Sequence, residues 1–437
     1  MTGELDLFSE EFQQCPFPKL AALRRRAPVS QASNGWYVVT TIELARTVLT
    51  DPALFSNAVS RRKPPSPQVA AEVTAIRAQG SPSVPTLLLS DPPRHTRYRR
   101  LVTRAFTPRA LAWMEPLVEQ VADELAAGLP ADESIDFITE FARPLPIWAI
   151  SRVLGLPDAR RDDVRRWTDA ATATIGAQLD TPCWPAVERD LLDLQLVLAD
   201  ELAQRRDAPR DDLLSLLVQA ASEVTTEDQP LDMTELVSMT RELMVAGNES
   251  SLRLLADIVW QLDRLPDEWR RVRDDPSRAD ALVEEAVRLA SPSAAVFRQV
   301  TRDTTLGGVA LPAGAHLVVS LLSANRDESV FPDPNRFLPD RPPVQRHMAF
   351  GQGVHACIGN SLARMEARQA VRALARHADH ISVAVDSDLR YLPSIIVRGL
   401  VELPVRVTRR RTLSLRQVGT YYRRTLVMAH VSTSRVG

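Results

Sequence analysis

Lysine is almost missing from this chain of 437 residues: only Lys19 and Lys63 occur, so arginine carries nearly all of the positive charge. The 53 basic side chains stand against 55 acidic ones, a formal net charge of −2. That balance removes any whole-chain electrostatic argument for nucleic acid or membrane binding. Aromatic residues make up only 5%, too few for the stacking platforms that hold single-stranded nucleic acid. Cysteine is scarce too. Cys15, Cys183 and Cys357 are far apart and odd in number, which excludes a disulfide framework and a CxxC metal clip. No run of about 18 apolar residues occurs, so no spanning helix or membrane anchor is expected. The amino-terminal MTGELDLFSEEFQQCPF is acidic and lacks an apolar core, unlike a signal peptide. A reducing cytoplasm is the expected setting. Flavin and nicotinamide fingerprints are also missing, as is an iron–sulfur cysteine set, so any redox chemistry needs electrons from a separate protein.

What is present is a large apolar fraction, 45% of residues, ample for an extensive core. Trp36–Thr40 reads as a strand, and 61–90, with its Pro, Ser and Gly, as a long irregular loop. From about 91 to 290 the three-to-four spacing of apolar residues predicts helices, among them Met114–Gly128, Ile147–Leu154 and Glu188–Gln204. A long helix over about Asp232–Leu265 is apolar around much of its circumference, which predicts burial through the middle of the molecule. After Pro292 the character turns strand-like, as at His316–Ser320. A helix follows Cys357, and Ile395–Val407 is β-rich. The chain reads as mainly α, in a helix-dominated α+β arrangement. Residues 408–437 hold many arginines and no acid, and are expected to form a disordered basic tail beyond a catalytic domain of residues 1–407.

Chemistry concentrates in Phe350-Gly-Gln-Gly353-Val-His355-Ala-Cys357-Ile-Gly359, followed by Asn-Ser-Leu-Ala-Arg-Met-Glu. Physically this is a Gly-rich loop running into a helix. Its glycines permit positive φ and close backbone approach to a flat ligand. A cysteine near a helix amino terminus is favoured as thiolate, although a lone cysteine at a turn is also compatible with a buried, inert side chain. Three further segments carry polar residues in helical or apolar settings. Glu285-Ala-Val-Arg288 puts a carboxylate and a guanidinium on one helix face. In Asp91-Pro-Pro-Arg-His95-Thr-Arg-Tyr-Arg99, His95 and Arg99 share a face. Ala246-Gly247-Asn248-Glu249-Ser250-Ser251 interrupts the long apolar helix, where unpaired polar groups would be costly.

The order Phe-x-x-Gly-x-His-x-Cys-x-Gly, then Leu-Ala-Arg-x-Glu, resembles the haem-binding signature of the cytochrome P-450 family, and the other segments fall in that family's order from about residue 8 to 407. The resemblance implies a helix-rich prism with small β-sheets and a haem b (iron protoporphyrin IX) held between the long central helix and the helix after the cysteine loop. Cys357 would be the axial thiolate, pushing electron density onto the iron and favouring O–O cleavage. Phe350, Gly353 and Gly359 would shape the cofactor loop. His95, Arg99, Arg298 and His355 would bind the propionates. Gly247 would open the central helix for O₂, and Glu249 and Ser250 would relay protons. Glu285, Arg288 and Arg336 would form a buried structural network. Leu88, Leu89, Met244, Ala246, Ala294, Ala295, Val296, Ile395 and Ile396 would line the substrate pocket, a wall suited to a terpenoid or polyketide-like molecule. The chain departs from the family pattern at Ser250, where threonine is usual. Serine keeps the hydroxyl and lacks the methyl that restricts χ1, so the expectation is either a looser coupling of oxygen activation to product or proton delivery helped by the substrate or water.

The implied activity is monooxygenation of a lipophilic substrate by a monomer. Electrons would come from a ferredoxin and its reductase docking on a basic face near Arg97, Arg100 and Arg104. Oxidative coupling, desaturation or peroxide-driven oxidation at the same haem is the rival enzymatic reading. A haem sensor without turnover is the rival of another class.

Overall fold

A computed structural model describes residues 5–59, 66–174, 183–222, 230–342, 347–384 and 388–410. The arginine-rich segment 411–437 lies outside the described residues. The boundary expected at 407 falls inside a strand, Pro404–Arg409, so the folded body runs on to at least that point.

Five strands form the principal sheet: β1 (Val29–Gln31), β2 (Tyr37–Val39), β3 (Phe55–Ser56), and, much later in the chain, Ala295–Val300 and His316–Ser320. A second sheet starts with β4 (Ser134–Asp136). With the later strands numbered β5 (Ala295–Val300), β6 (Thr304–Leu306), β7 (Val309–Leu311), β8 (His316–Ser320), β9 (Ala378–Val383) and β10 (Pro404–Arg409), the orders are β1-β2-β8-β5-β3, β4-β10-β9 and β6-β7. Among the described residues only the β2–β8 pairing is parallel, with Tyr37 opposite Leu317. Pleating sends alternate β5 residues to opposite faces. Ala295 and Phe297 join a cluster with Leu7, Phe12, Leu20 and Val38. Val296 packs on the other side, with Phe55 and Leu317.

The helices that position the site are α1 (Ile42–Thr50), α2 (Arg94–Thr103), α3 (Glu115–Gly128), α4 (Pro144–Leu154), α5 (Arg161–Ala173), α6 (Trp184–Asp207), α7 (Met233–Asp263), α8 (Ala279–Ala290) and α9 (Asn360–His377). The stretch expected to be an irregular loop over 61–90 contains a further helix, Pro67–Arg77, started by a proline in its first turn. Helix α7 is the axis of the molecule. It begins in a capping box: the Asp232 carboxylate accepts from the Glu235 backbone N–H at 2.8 Å, and the Glu235 carboxylate accepts from the Asp232 N–H at 3.1 Å. Such a cap is worth about 1 kcal/mol. The helix runs unbroken for 31 residues, and Pro266 begins the next helix two residues beyond its C-cap. Leu236, Met239, Leu252, Leu255, Ile258 and Val259 bury it in the main core, which it shares with α3, α4, α8 and α9. No helix among the described residues is long and apolar enough to cross a membrane.

Candidate functional site

The cysteine loop is built from turns that only glycine fits easily. Gly351 and Gly353 have φ of +66° and +75°, and a Cβ on Gly353 would collide with the Leu49 carbonyl of α1. The loop is then locked by main-chain bonds, Gly351 N–H to Met348 O and Cys357 N–H to Phe350 O, each 2.8 Å. The Asn360 amide donates to Cys357 O at 2.8 Å. Arg364 lies over the Phe350 ring at 4.3 Å and pairs with Glu284. Gly359 has open space where a Cβ would stand.

Cys357 lies deep in the molecule, yet its own surface is uncovered. These two facts agree if the thiol faces an internal hollow, and the depth decides its electrostatics. Burial pushes the thiol pKa up, while the Gly359 N–H, Arg99 and Arg364 pull it down. The helix-terminus effect expected from sequence is thus only a part of the balance, because α9 starts three residues further on.

Basic side chains from three segments, His95 and Arg99, Arg298, and His355, converge at this loop, with Asn57 from a fourth. The His95 and His355 rings lie 4.1 Å apart between centroids, tilted by 48°. Arg298 donates to Asn57 Oδ1 at 2.8 Å, and Asn57 Nδ2 lies 3.3 Å from His355 Nδ1. The Asn57 N–H is held by Asp91 at 2.8 Å. Asn57 was not among the residues singled out in the sequence; nothing in its local pattern marks it, since its role exists only once β3 meets β5. Burial lowers the His95 pKa, and Arg99 and Arg298 add to this against Asp91. His95 Nδ1 is buried without a hydrogen-bond partner among the described residues. Arg99 is half-buried, and burial lowers its pKa against the pull of Cys357. A buried, orphaned donor beside several guanidiniums calls for anionic partners.

On α7, Ala246 is exposed although Met244, Asn248 and Glu249 around it are buried. An exposed alanine halfway along a core helix marks a hollow against that face. At 100° per residue, Gly247 and Ser250 flank the same opening, while Met244 points away. Met244 is fully buried in the core, which corrects its expected place in the substrate wall. Gly247 does not open the helix either. It permits close packing, since a Cβ there would meet Ile150 Cδ1 of α4 at 3.0 Å. Asn248 donates to Thr168 Oγ1 at 2.9 Å on α5. Ser250 Oγ rests on Ala246 O at 3.3 Å. Glu249, expected to face the opening, is instead paired with Arg253, Nε and Nη2 donating to Oε1 at 2.8 and 2.6 Å.

The other expected wall residues divide. Leu88 is 40% exposed and Leu89 partly so, beside the helix: the Leu88 N–H donates to Glu242 of α7 at 2.9 Å. Val296 shares the Arg298 face of β5. Ala294, Ala295 and Ile395 pack instead with the amino-terminal Leu7, Phe12 and Leu20, and Ile396 leans on the same cluster. The pleat of β5 turns Ala295 away from the cationic cradle, which corrects its assignment to the pocket.

Glu285 and Arg288 form the expected buried pair, with two bonds of 2.8 Å. Arg336 is not its third member. Its side chain is 70% exposed and reaches Asp333 at 3.8 Å; only its carbonyl accepts from Arg288. Arg341 takes the place, with Nε 3.2 Å from Glu285 Oε1. Both arginines follow the Phe-Pro-Asp-Pro segment, and sequence spacing does not tell which one turns inward.

Glu366, the acid that closes the Leu-Ala-Arg-x-Glu motif, lies buried on the apolar face of α9 with Leu362 and Ala370, and the motif assigned it no role. Burial pushes its carboxyl up to about 8, the Ser251 hydroxyl pulling the other way. Neither carboxyl oxygen makes a well-formed hydrogen bond, so at pH 7 the group is mostly a neutral acid. An acid flanked by Leu362, Met365 and Ala370 at helical spacing was the available signal.

The donor set fits an iron porphyrin: one deep, uncovered cysteine sulfur, glycines that let backbone lie close, and an orphaned His95 nitrogen with Arg99 and Arg298 for two carboxylates. The chain's likenesses agree. A Cytochrome P450 sequence profile matches residues 194–380. Cytochrome P450 107B1 of Saccharopolyspora erythraea is 36% identical over 416 residues, covering 93% of this chain and 99% of that protein. The 6-deoxyerythronolide B hydroxylase of the same organism is 33% identical, covering 93% and 100%. A mutant P450 EryK in complex with erythromycin B superposes with a TM-score of 0.77 at 32% identity, over 91% of this chain and 97% of that one. With its cysteine loop, central helix and cluster of basic side chains in that family's order, the chain belongs to the cytochrome P450 family and is a haem b-dependent monooxygenase.

Proposed function

We propose that this enzyme hydroxylates or epoxidises a polyketide- or terpenoid-like molecule in bacterial secondary metabolism, and that the Cys357 sulfur would hold the haem iron. The overall change is substrate-H + O₂ + two electrons + two protons → substrate-OH + water. The observation that carries this reading is the uncovered Ala246 on α7 together with the deep, uncovered Cys357. One relative is named as a 6-deoxyerythronolide B hydroxylase and one structural neighbour holds erythromycin B, which supports a bulky oxygenated scaffold.

When bound, the haem supplies the iron at which dioxygen is reduced. The protein's share is to hold and to supply protons. His95, Arg99, Arg298 and His355 would hold the propionates, with Asn57 fixing the last two against each other. Gly353 and Gly359 keep the loop thin. Ser250 Oγ donates to its own helix at rest, and rotation about χ1 turns it toward the opening. Glu366 keeps a proton beside Ser251. Glu249 becomes available to water only when it leaves Arg253. Leu88, Leu89 and Val296 offer apolar contact to substrate.

The proposed electron donor is a ferredoxin served by a ferredoxin reductase, acting on a monomer in the cytoplasm. Arg100 and Arg104 are exposed for docking. Arg97 serves that face less, being largely covered and 3.7 Å from Glu235.

The test is spectroscopic and chemical. The haem-loaded ferrous protein should bind carbon monoxide with a Soret band far to the red of a His-ligated haem, and Cys357→His should remove that displacement. A panel of macrolides and terpenoids, screened by spin-state change, should yield a ligand that incorporates label from ¹⁸O₂. An undisplaced band in the intact wild type overturns the ligand assignment; a bound substrate oxidised without label moves the activity to coupling or desaturation.

A further inference from the structure

A cavity of about 260 Å³ opens beside the C-terminal half of α7, and its walls include no residue of the cysteine loop or of the Ala246–Ser250 stretch. Asp257, on its wall, lies about 15 Å along the helix from Gly247. Charge on these walls is unbalanced. Arg253 is neutralised by Glu249. Arg326 and Arg398 also line the cavity, and Asp257 is the one acid there.

Neither Arg326 nor Arg398 has a carboxylate within ion-pair distance among the described residues. Arg326 is only 8% exposed, and its single side-chain hydrogen bond is a long one of 3.4 Å to the Leu322 carbonyl. Arg398 donates to Gln13 O and Gln14 O at 3.0 and 3.1 Å and lies over the Tyr391 ring at 3.7 Å, hydrogen-bonded to that side chain, so it has fewer of its five N–H groups to spare than Arg326. Both guanidiniums lie against the Phe17 ring, at 4.2 and 4.9 Å, a contact that favours cations and supplies no acceptor. Asp257 Oδ2 has no hydrogen-bond partner; its charge attracts Arg326 through space without forming an ion pair among the described residues, so the fork of Arg326 keeps its N–H groups. A buried guanidinium lacking a partner is costly, and a bidentate oxyanion is the ligand its fork matches.

We propose that this cavity binds a small oxyanion, a carboxylate or phosphate, held by the fork of Arg326 with Arg398 as second donor. Trp260 and Leu289 give its walls apolar surface for a short carbon skeleton. Asp257 opposes the ligand and sets its affinity.

The test uses the haem-loaded full chain, with ionic strength held constant by sodium chloride. Sodium phosphate and sodium succinate are titrated separately, following the thermal midpoint and, for phosphate, ³¹P line broadening. At least one anion should raise the midpoint saturably. Asp257→Asn, which removes a competing charge and no packing volume, should tighten that binding roughly tenfold. Arg326→Gln should abolish it. No saturable response in either the wild type or Asp257→Asn overturns the proposal, as does a response that Arg326→Gln leaves intact. Asp257→Asn decides the matter should Arg326→Gln not fold. The readout needs no turnover, so it stands apart from the identity of the oxidised substrate.

Discussion

Glu249 Oε1 accepts two hydrogen bonds from Arg253, one helical turn further along α7, and both side chains are buried. The pair is completed by Arg253 Nη1 donating to the Leu400 carbonyl, and its path is clear because residue 399 is glycine, where a Cβ would run into the Arg253 side chain. The carboxylate is thereby latched away from the opening at Ala246.

Releasing that latch should change proton delivery. In Arg253→Gln the product formed per O₂ consumed should shift and its pH dependence should move with it, and Gly399→Ala should act in the same direction by displacing the guanidinium. Unfolding free energy should fall by about 3–5 kcal/mol in Arg253→Gln, since a buried charge loses its partner. An unchanged product-to-O₂ ratio in a folded Arg253→Gln enzyme would show that the pair is structural alone.

Arg341 and Arg336 provide a contrast five residues apart. Arg341→Ala strips a donor from buried Glu285 and should cost several kcal/mol in urea unfolding. Arg336→Ala should stay within about 0.5 kcal/mol, because its side chain is solvated. Equal losses for the two would contradict the placement.

Glu366 predicts a pH-dependent stability. Its folded pKa of about 8 lies above the ordinary 4.5. The folded state therefore binds the proton more tightly, and folding is increasingly disfavoured as pH rises from 4.5 toward 8. Glu366→Gln removes this penalty. Its stability gain over wild type should grow between pH 5 and pH 8, with a slope approaching about 1.4 kcal/mol per pH unit, and level off above. A gain that does not vary with pH would mean that the carboxyl is not held neutral.

Asn57 ties Arg298 to His355. Asn57→Ala should speed haem loss to an apoglobin acceptor by about an order of magnitude, since an ordered donor array is released. The carbon monoxide Soret position should not move. Haem loss at the wild-type rate would show that the two donors hold their places without Asn57.

Much of this was legible along the chain. The central helix was readable because a capping acid precedes an unbroken apolar period, and the cysteine loop because glycines, histidine and cysteine fall within ten residues. Local periodicity does not say which face of an element meets which neighbour. Ala295 and Val296 are adjacent and both apolar, yet the pleat sends them to opposite clusters. Met244 and Ala246 are two residues apart on a helix, hence nearly opposed. Arg253 was hidden for a different reason: an arginine in an apolar helix is readable, but its carbonyl partner at Leu400 lies in another segment of the chain.

The parallel pairing of β2 with β8 bears on how the molecule is assembled during synthesis. Tyr37 waits for Leu317, 280 residues later, and Gly353 then closes onto Leu49. An emerging chain can fold its helices and the β1–β2 hairpin locally and early, but that hairpin has no further strand to join until nearly three quarters of the protein has left the ribosome. The cofactor cradle, drawn from residues 57, 95, 298 and 355, is completed later still. Haem capture by that cradle would then come at the end of folding and seal the two ends of the chain together.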